Sequence, residues 1–303
     1  MLAFFIAQTF ALGLNTQVIE CPVGTDNVKI FTKTSGNSLG GWDPDLAIYD
    51  SDGQYRNYAI ATCQNNLFSL HAKDMTSSFS AEQKQALEAL LPEFEKKYPN
   101  PDALNIWERY DIAVACYEVL NADPKIIADL YMNAAWTVRD EIVGLHQLNG
   151  PEDMWMLLKQ APQELSKPLS DQQRKLLLYN FARVAHRFGA NNMRDSFLNM
   201  FLSLSTLTET ERSSAEAFQK ATSVEAQYLK KAEHALLLIQ NHSDRELLWL
   251  AEIYRRQGDL EKSQASYLKL QSKQIDDPYI LKSIEFFTNW EPNAQTSVLN
   301  TIP

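Results

Sequence analysis

Two kinds of hydrophobic periodicity divide the chain. Over residues 17–78 the apolar positions come in short runs broken by turn residues. Val28-Lys29-Ile30-Phe31-Thr32-Lys33-Thr34 is rich in β-branched and aromatic residues and partly alternates, as a half-buried strand does. Ser35-Gly36-Asn37-Ser38 and Asp50-Ser51-Asp52-Gly53 supply turn chemistry, and Leu46–Tyr49, Tyr55–Thr62 and Leu67–Leu70 are further strand candidates. A β-module of this size buries little by itself, so a crosslink or a helical support is expected.

From residue 79 to 303 the period becomes helical. Ser80 with Gln83 has the spacing of a capping box, and Leu87, Leu90, Leu91, Phe94 and Tyr98 follow on one face. Pro92 is expected to kink or split that helix. Ile106, Tyr110, Ala113, Val114, Tyr117 and Leu120 mark a second helix. Asp123-Pro124 then reads as an N-cap with proline at N1, opening a third through Ile142 and ending at Asn149-Gly150-Pro151. A looser stretch containing Trp155 precedes a helix from Ser170 to Phe188, with Gly189 as its C-cap.

A repeat signal lies further on. Asp244 to Asp277 spans 34 residues, the tetratricopeptide period. Leu247, Leu250, Ala251 and Tyr254 fall at the large, large, small and aromatic positions of a first helix. Gly258-Asp259 makes the turn, and Ser263, Tyr267 and Leu270 supply the small, aromatic and apolar positions of the second. Ser243 with Glu246 adds a capping box, whereas Ile275 stands where such repeats usually carry proline. Ala182, Ala185 and Gly189, and Ala128, Met132 and Ala135, echo the pattern weakly. One repeat cannot bury both its faces, so a stack of helix pairs is expected. The fold class is therefore mainly α: a tetratricopeptide-like helical repeat array behind a small N-terminal β-module.

Composition narrows the function classes. Apolar residues make up 45% of 303, enough for a packed core, and the net charge is −10. An acidic chain without a basic run is a poor nucleic-acid binder. The first charged residue is Glu20, and Leu2 to Leu14 is largely apolar. That stretch is shorter than the about 20 residues a membrane span needs. It predicts a signal segment over residues 1–16, with Ala11-Leu12-Gly13 as a small-x-small cleavage site and a mature, periplasmic protein without a transmembrane segment. A basic n-region is missing, and the alternative is an apolar N-terminal strand or helix packed on the body. Glu20 occupies the place where a lipoprotein anchor at Cys21 would need a small residue.

The sequence carries little chemistry. Gly36 to Gly41 lacks the Lys and Ser/Thr of a phosphate loop, no nucleophile elbow or zinc-protease helix occurs, and the five histidines are scattered. No catalytic residue, metal site or cofactor is assigned. Asp43, Asp45, Asp50 and Asp52 are dense enough to suggest Ca²⁺, but turn chemistry accounts for Asp-Pro-Asp and Asp-Ser-Asp-Gly without it. Arg245, Leu248, Glu252, Arg255 and Arg256 are left over on the first helix of the repeat. Three arginines there could receive a carboxylate or an acidic peptide; a solvated helix face is the plainer reading.

Residues 20 to about 140 resemble an uncharacterised family of bacterial proteins that pairs an N-terminal Cys-Pro module with tetratricopeptide-like helices. The likeness rests on Glu20-Cys21-Pro22-Val23-Gly24, the Ser35-Gly36 turn, Cys63 with Asn66, Tyr110-x-x-Ala113 and Ala134-Ala135-Trp136. In the cytosolic-looking members of that family the module has two Cys-x-x-Cys knuckles and looks like a zinc ribbon. Gly24 and Asn66 stand where the second cysteines would be, and two thiolates do not close a zinc site. His71 as a third ligand has unhelpful spacing. The resemblance thus implies that Cys21 and Cys63 approach one another and, in an oxidising compartment, form a disulfide closing a loop of about 43 residues. Cys116, within an apolar helical run, is expected to stay a buried thiol. The function expected is an exported scaffold binding another protein or peptide on its helical face. The alternative is an envelope enzyme or accessory subunit with a site between the acidic β-module and the helices.

Overall fold

The computed structural model describes residues 12–143, 148–291 and 294–302. The protein is mainly helical, with eleven α-helices among the described residues and a few short strands near the N-terminus. It divides into two compact units. One takes the chain up to Gly41 and then Ile48–Ala122; the other takes Trp42–Ala47 and the chain from Asp123 onward. Residues 1–11 of the expected signal segment lie outside the described residues.

In the first unit, β1 (Gly13–Glu20) and β2 (Asn27–Ser35) form an antiparallel hairpin in which Ile19 faces Val28 and Gln17 faces Ile30. Val28 and Ile30 are buried while their neighbours Lys29 and Asn27 are exposed, the period-2 pattern of a strand with one dry face. β3 (Gly41–Trp42) marks the boundary. β4 (Ile60–Thr62) pairs antiparallel with β5 (Ser69–His71) through a loop in which Cys63 N donates to Phe68 O and Leu67 N to Cys63 O. Leu46–Tyr49 forms no strand beyond a single bridge residue; Leu46 and Ala47 are buried as parts of a turn, and Tyr49 is buried beyond it.

Two helices complete this unit. α1 (Ala81–Lys97) starts at the expected Ser80–Gln83 capping box and runs through Pro92 as one helix. The proline removes one backbone donor on a largely solvated helix and does not split it. α2 (Ile106–Val119) packs on β5 and β4 with Tyr110, Ile112, Ala113, Val114, Cys116 and Tyr117 buried. Its tyrosines reach back into the strand region: Tyr110 Oη donates to Arg56 O at 2.6 Å, and Tyr117 Oη donates to Asp74.

The second unit is helical throughout. α3 (Pro124–Val143) begins at the expected proline, with Asp123 Oδ1 accepting from Lys125 N at 2.8 Å. The two-residue β6 (Leu148–Asn149) precedes α4 (Pro151–Ser166). That helix corrects the expectation of a looser stretch around Trp155: Met154, Trp155, Leu158, Ala161 and Leu165 make a regular buried stripe despite Pro162. α5 (Asp171–Phe188), α6 (Asn191–Leu202), the long α7 (Glu209–Leu237), α8 (Asp244–Gln257), α9 (Leu260–Gln271), α10 (Pro278–Thr288) and α11 (Ala294–Leu299) follow. α3 lies along α7, while α5 with α6 and α8 with α9 pair as hairpins. Phe188, Met193, Phe197, Leu198, Phe218, Leu248, Ala251, Tyr267 and Phe287 belong to one continuous core cluster.

The 34-residue segment singled out above is α8, a turn and α9, with Leu247, Leu250, Ala251, Tyr254, Ser263, Tyr267 and Leu270 all buried. The two hairpin turns are built alike. Gly189 (φ +82) and Gly258 (φ +84) end α5 and α8 in the left-handed region. The following residue donates back five positions, Ala190 N to Ala185 O and Asp259 N to Tyr254 O. The glycine itself donates to His186 O in one turn and Arg255 O in the other. This is the Schellman arrangement, which satisfies helix-end carbonyls that would otherwise be orphaned.

Candidate functional site

Within the first unit, the two loops that hold the module's cysteines are tied by the Cys21–Cys63 disulfide. Asn66 donates its side-chain amide to Val23 O and accepts from Phe68 N at 3.1 Å, so this residue clamps the two loops. The residues whose donor atoms converge here are Cys21, Asp26 and Cys63, and His71 is not among them. With both sulfurs in a disulfide, neither is a thiolate ligand. Cys116 is a free, fully buried thiol whose pKa burial pushes up to about 11.

The chemistry-bearing residues of the second unit lie in its interior. Trp42-Asp43-Pro44-Asp45-Leu46-Ala47 forms a turn in which Asp43 N donates to Ala47 O and Leu46 N to Asp43 O, both at 2.9 Å. Trp42 O accepts from Gly150 N, Asp45 O from the Trp249 indole at 3.1 Å, and the Trp42 ring packs against Tyr279. The turn holds out two carboxylates. Arg139 Nη1 donates to Asp43 Oδ2 at 2.7 Å, and its Nη2 donates to Asp45 Oδ2 at 2.7 Å and to Glu225 Oε1 at 2.6 Å. Arg187 Nε donates to the other oxygen of Asp43 at 2.7 Å. His186 Nε2 donates to Glu225 Oε2 at 2.6 Å, and its Nδ1 lies 3.4 Å from Arg194 Nη1.

A second cluster adjoins the first through α8. Arg255 forms a two-pronged pair with Glu252, Nε to Oε1 at 2.7 Å and Nη2 to Oε2 at 2.6 Å, and Tyr267 Oη donates to the same carboxylate. Arg255 also donates to Phe188 O, while Arg256 donates to His186 O at 3.0 Å and Arg187 O at 2.7 Å. The two arginines therefore cap the last carbonyls of α5, an arrangement favoured by the negative end of its dipole. Asn191 Nδ2 returns a hydrogen bond to Arg256 O at 2.6 Å.

The carboxylates Asp43, Asp45, Glu225 and Glu252 thus meet the guanidinium groups of Arg139, Arg187, Arg255 and Arg256, all buried. Burial would raise the pKa of Asp45, but Arg139 and Arg256 outweigh it and hold the carboxyl well below the usual range. Glu225 is held down in the same way, against its burial, by Arg139 and by its hydrogen bond with His186. Burial lowers the pKa of His186, with Glu225 opposing, so the ring is neutral.

These positions bear on two readings of the sequence. Of the five residues expected on a partner-binding helix face, Arg245 alone is exposed, lying over the Trp249 ring; Leu248, Glu252, Arg255 and Arg256 are interior. α8 is buried on almost all sides, so its charged residues answer one another and the end of α5 instead of solvent. The four aspartates considered for Ca²⁺ also divide. Asp43 and Asp45 are saturated by arginine, Asp50 pairs with Lys33 at 3.0 Å and accepts from Asn37 N, and Asp52 accepts from Ser51 Oγ.

Two cavities open beside this interior. One, of about 290 Å³, is lined by Gly189, Asn191, Asn192, Arg255, Arg256 and Trp290 among others. The other, of about 200 Å³, includes His186, Arg194, Glu225 and Arg256. What the fold and its interior define is a mainly helical protein with a charge-balanced core. The chain belongs to the family described as an uncharacterized protein conserved in bacteria (DUF2225), whose model matches residues 14–279. The family therefore extends well beyond the stretch whose residues carried the resemblance. No curated protein and no solved structure matches the chain.

Proposed function

We propose that the chain is an exported, periplasmic scaffold that binds a protein or peptide through a tetratricopeptide-like helical array. The observation carrying this reading is the twice-used hairpin. α5–α6 and α8–α9 share a capping-box start, a left-handed glycine, a Schellman turn and a second helix of 12 residues. Units of this kind stack to make elongated binding surfaces. A disulfide accords with an oxidising compartment. Among the described residues no helix is long and apolar enough to cross a membrane.

Affinity capture of the tagged chain from envelope extracts, read by mass spectrometry, tests the reading. A stoichiometric protein partner lost on Arg245→Glu supports it, because Arg245 is the exposed member of the expected face. Absence of any specific partner counts against it. Export is tested separately by fusing residues 1–25 to a periplasm-dependent reporter, which should be active and cleaved near Leu14.

The envelope-enzyme alternative draws on the His186–Glu225 pair lining the smaller cavity. It is the weaker reading, because arginines keep the buried carboxylates ionised and unable to donate a proton. His186 alone would have to serve as acid and base.

A further inference from the structure

β1 has one paired edge and one open edge. Among the described residues it pairs with β2 alone, and no backbone hydrogen bond leaves its other side. β2 has further neighbours: Phe31 O accepts from Tyr55 Oη at 3.2 Å, and the Phe31 ring meets Tyr58. Natural edge strands are kept short or blunted with lysine, proline or a bulge. β1 runs for eight residues, Gly-Leu-Asn-Thr-Gln-Val-Ile-Glu, without Lys, Arg or Pro. Its register irregularity lies at Gly13/Leu14, where the strand begins. Asn15, Thr16, Gln17 and Val18 are exposed, Val18 by 62%. A two-stranded ribbon is marginal in water, and further strands stabilise it.

Charge and register together say what fits this edge. Glu20 is the one charged residue of the strand, although the chain as a whole carries −10. Ile19 and Gln17 lie opposite the buried Val28 and Ile30, so Leu14, Thr16 and Val18 point to the other face. A two-fold axis perpendicular to the sheet sets β1 antiparallel to its own copy with like faces aligned. Like faces align only when the axis passes through a single residue. With the axis at Thr16, threonine meets threonine and each Val18 meets Leu14 of the other copy. Thr–Thr and apolar pairs are favourable cross-strand combinations. Moving the axis to Asn15 or Gln17 breaks both Val18–Leu14 pairs. The two Glu20 carboxylates then stand about 27 Å apart along the strands, well beyond the screening length of about 8 Å.

We propose that β1 is a homodimer interface, in which two copies of the chain pair antiparallel through this edge about Thr16 and complete a four-stranded sheet. The segment is self-complementary in its apolar positions and opposes no like charges, so an acidic chain can meet its own copy here. The dimer concerns the first unit and stands independently of any partner on the helices of the second.

Equilibrium sedimentation of the folded, disulfide-bonded protein should show monomer and dimer exchanging with a dissociation constant on the order of 100 µM or tighter, as for a small interface. Val18→Glu separates the interface from the hairpin itself. Val18 lies opposite Lys29 within its own ribbon, so a carboxylate there makes a favourable cross-strand pair. In the dimer the same carboxylate faces Leu14, and the dissociation constant should rise at least about tenfold.

Cysteine substitution reads the register. Under mild oxidation Thr16→Cys should crosslink to its copy at least about tenfold faster than Asn15→Cys or Val18→Cys alone, because a disulfide needs the two Cα atoms within about 7 Å. Val18→Cys mixed with Leu14→Cys should give the crosslinked mixed dimer. A monomer at every concentration up to about 1 mM, a dimer indifferent to Val18→Glu, or equal crosslinking at positions 15, 16 and 18 would overturn the proposal. Two further results also overturn it. A monomer whose β1 amides exchange slowly at every dilution means that another segment of the same chain covers the edge. A different protein that binds the monomer and is lost on Val18→Glu means that the edge serves a heterologous partner.

Discussion

The two compact units hold their chain together by different chemistry. The first surrounds its strands with apolar side chains and staples distant loops covalently, Cys21 to Cys63 across a sequence separation of 42. The second fastens a more remote segment, Trp42–Ala47, with buried charge: Asp43 and Arg187 are 144 positions apart and Asp45 and Arg139 are 94. A disulfide constrains mainly the unfolded chain. A buried ion network acts on the folded state, where its Coulombic gain must exceed the desolvation of every member. The first unit should therefore respond to reductant and the second to loss of a single charge.

The largest effect is expected from Arg139. All three of its guanidinium nitrogens are engaged by Asp43, Asp45 and Glu225. Arg139→Met would leave several buried carboxylates without their main counter-charge. Breaking one buried pair from one side costs about 3–5 kcal/mol, so the loss here should reach the top of that range. Guanidinium denaturation followed by hydrogen exchange should place it in residues 123–302 and the turn at 42–47. A loss under about 1 kcal/mol would show that the network is not what holds the turn.

The disulfide comes next. Cys21→Ser with Cys63→Ser should destabilise the first unit by up to about 4 kcal/mol on the chain-entropy estimate. Faster exchange confined to β1, β2, β4 and β5 is the expected signature. Equal acceleration in α5 and α8 would erase the contrast drawn between the units.

How much of this was legible in the sequence follows from range. Local signals carried well: the Ser80–Gln83 and Ser243–Glu246 boxes, Asp123-Pro124, Gly189 and Gly258 all punctuate helices where expected. Each depends on atoms within about four residues of one another along the chain. The disulfide also came out as the resemblance implied, joining Cys21 to Cys63. The buried network did not. Nothing local pairs Asp43 with Arg139 or Glu225 with His186, and the three arginines on α8 looked like a solvated face. A signal was nevertheless present. Arg139 follows Ala135 by one helical turn, and Glu225 follows Phe218 and Ala221 on the same stripe of α7, so both are charged residues on apolar faces. Such residues are almost never fully buried unless paired, and several of them in one chain point to each other. Trp155 taught the reverse lesson: the stretch that looked irregular is a helix whose buried stripe continues past Pro162.

A smaller effect separates the two hairpin glycines, which share a conformation and differ in surroundings. A Cβ at Gly189 would lie 2.8 Å from Arg255 Nη2 and 2.9 Å from Arg256 Cγ, whereas one at Gly258 meets nothing within 4 Å. Gly258→Ala should cost about 1 kcal/mol for the left-handed backbone alone. Gly189→Ala should cost roughly twice that, since it also displaces the arginines that cap α5. Equal thermal shifts for the two variants would mean that the arginine caps adjust freely, and the buried charge would then be less rigid than its geometry implies.

The smallest effect is a pH dependence specific to the second unit. Burial lowers the pKa of His186, and Glu225, the partner that would raise it, is outweighed; Arg139 and Arg194 also disfavour the imidazolium, and the Phe218 ring stands edge-on at 5.5 Å. The unfolded chain takes up a proton near the ordinary histidine value of about 6.5, while the folded chain does so only at lower pH. Between those two points the unfolded state binds more protons, so stability falls as the solution is acidified through that range. Asp45 and Glu225 act in a separate window. Their folded pKa values are depressed, so they stabilise the fold above the ordinary carboxylate range of about 4 and lose that contribution only at lower pH. His186→Gln keeps a donor for Glu225 without the titration. Its denaturation midpoint should stay flat from pH 7.5 to about 5.5 where the parent chain declines, and both should fall together in stronger acid. The first unit, whose disulfide does not titrate, should show no such step in residue-resolved hydrogen exchange corrected for intrinsic rates. A step of equal size in α2 would mean that the two units do not divide the molecule's stability as their interiors suggest.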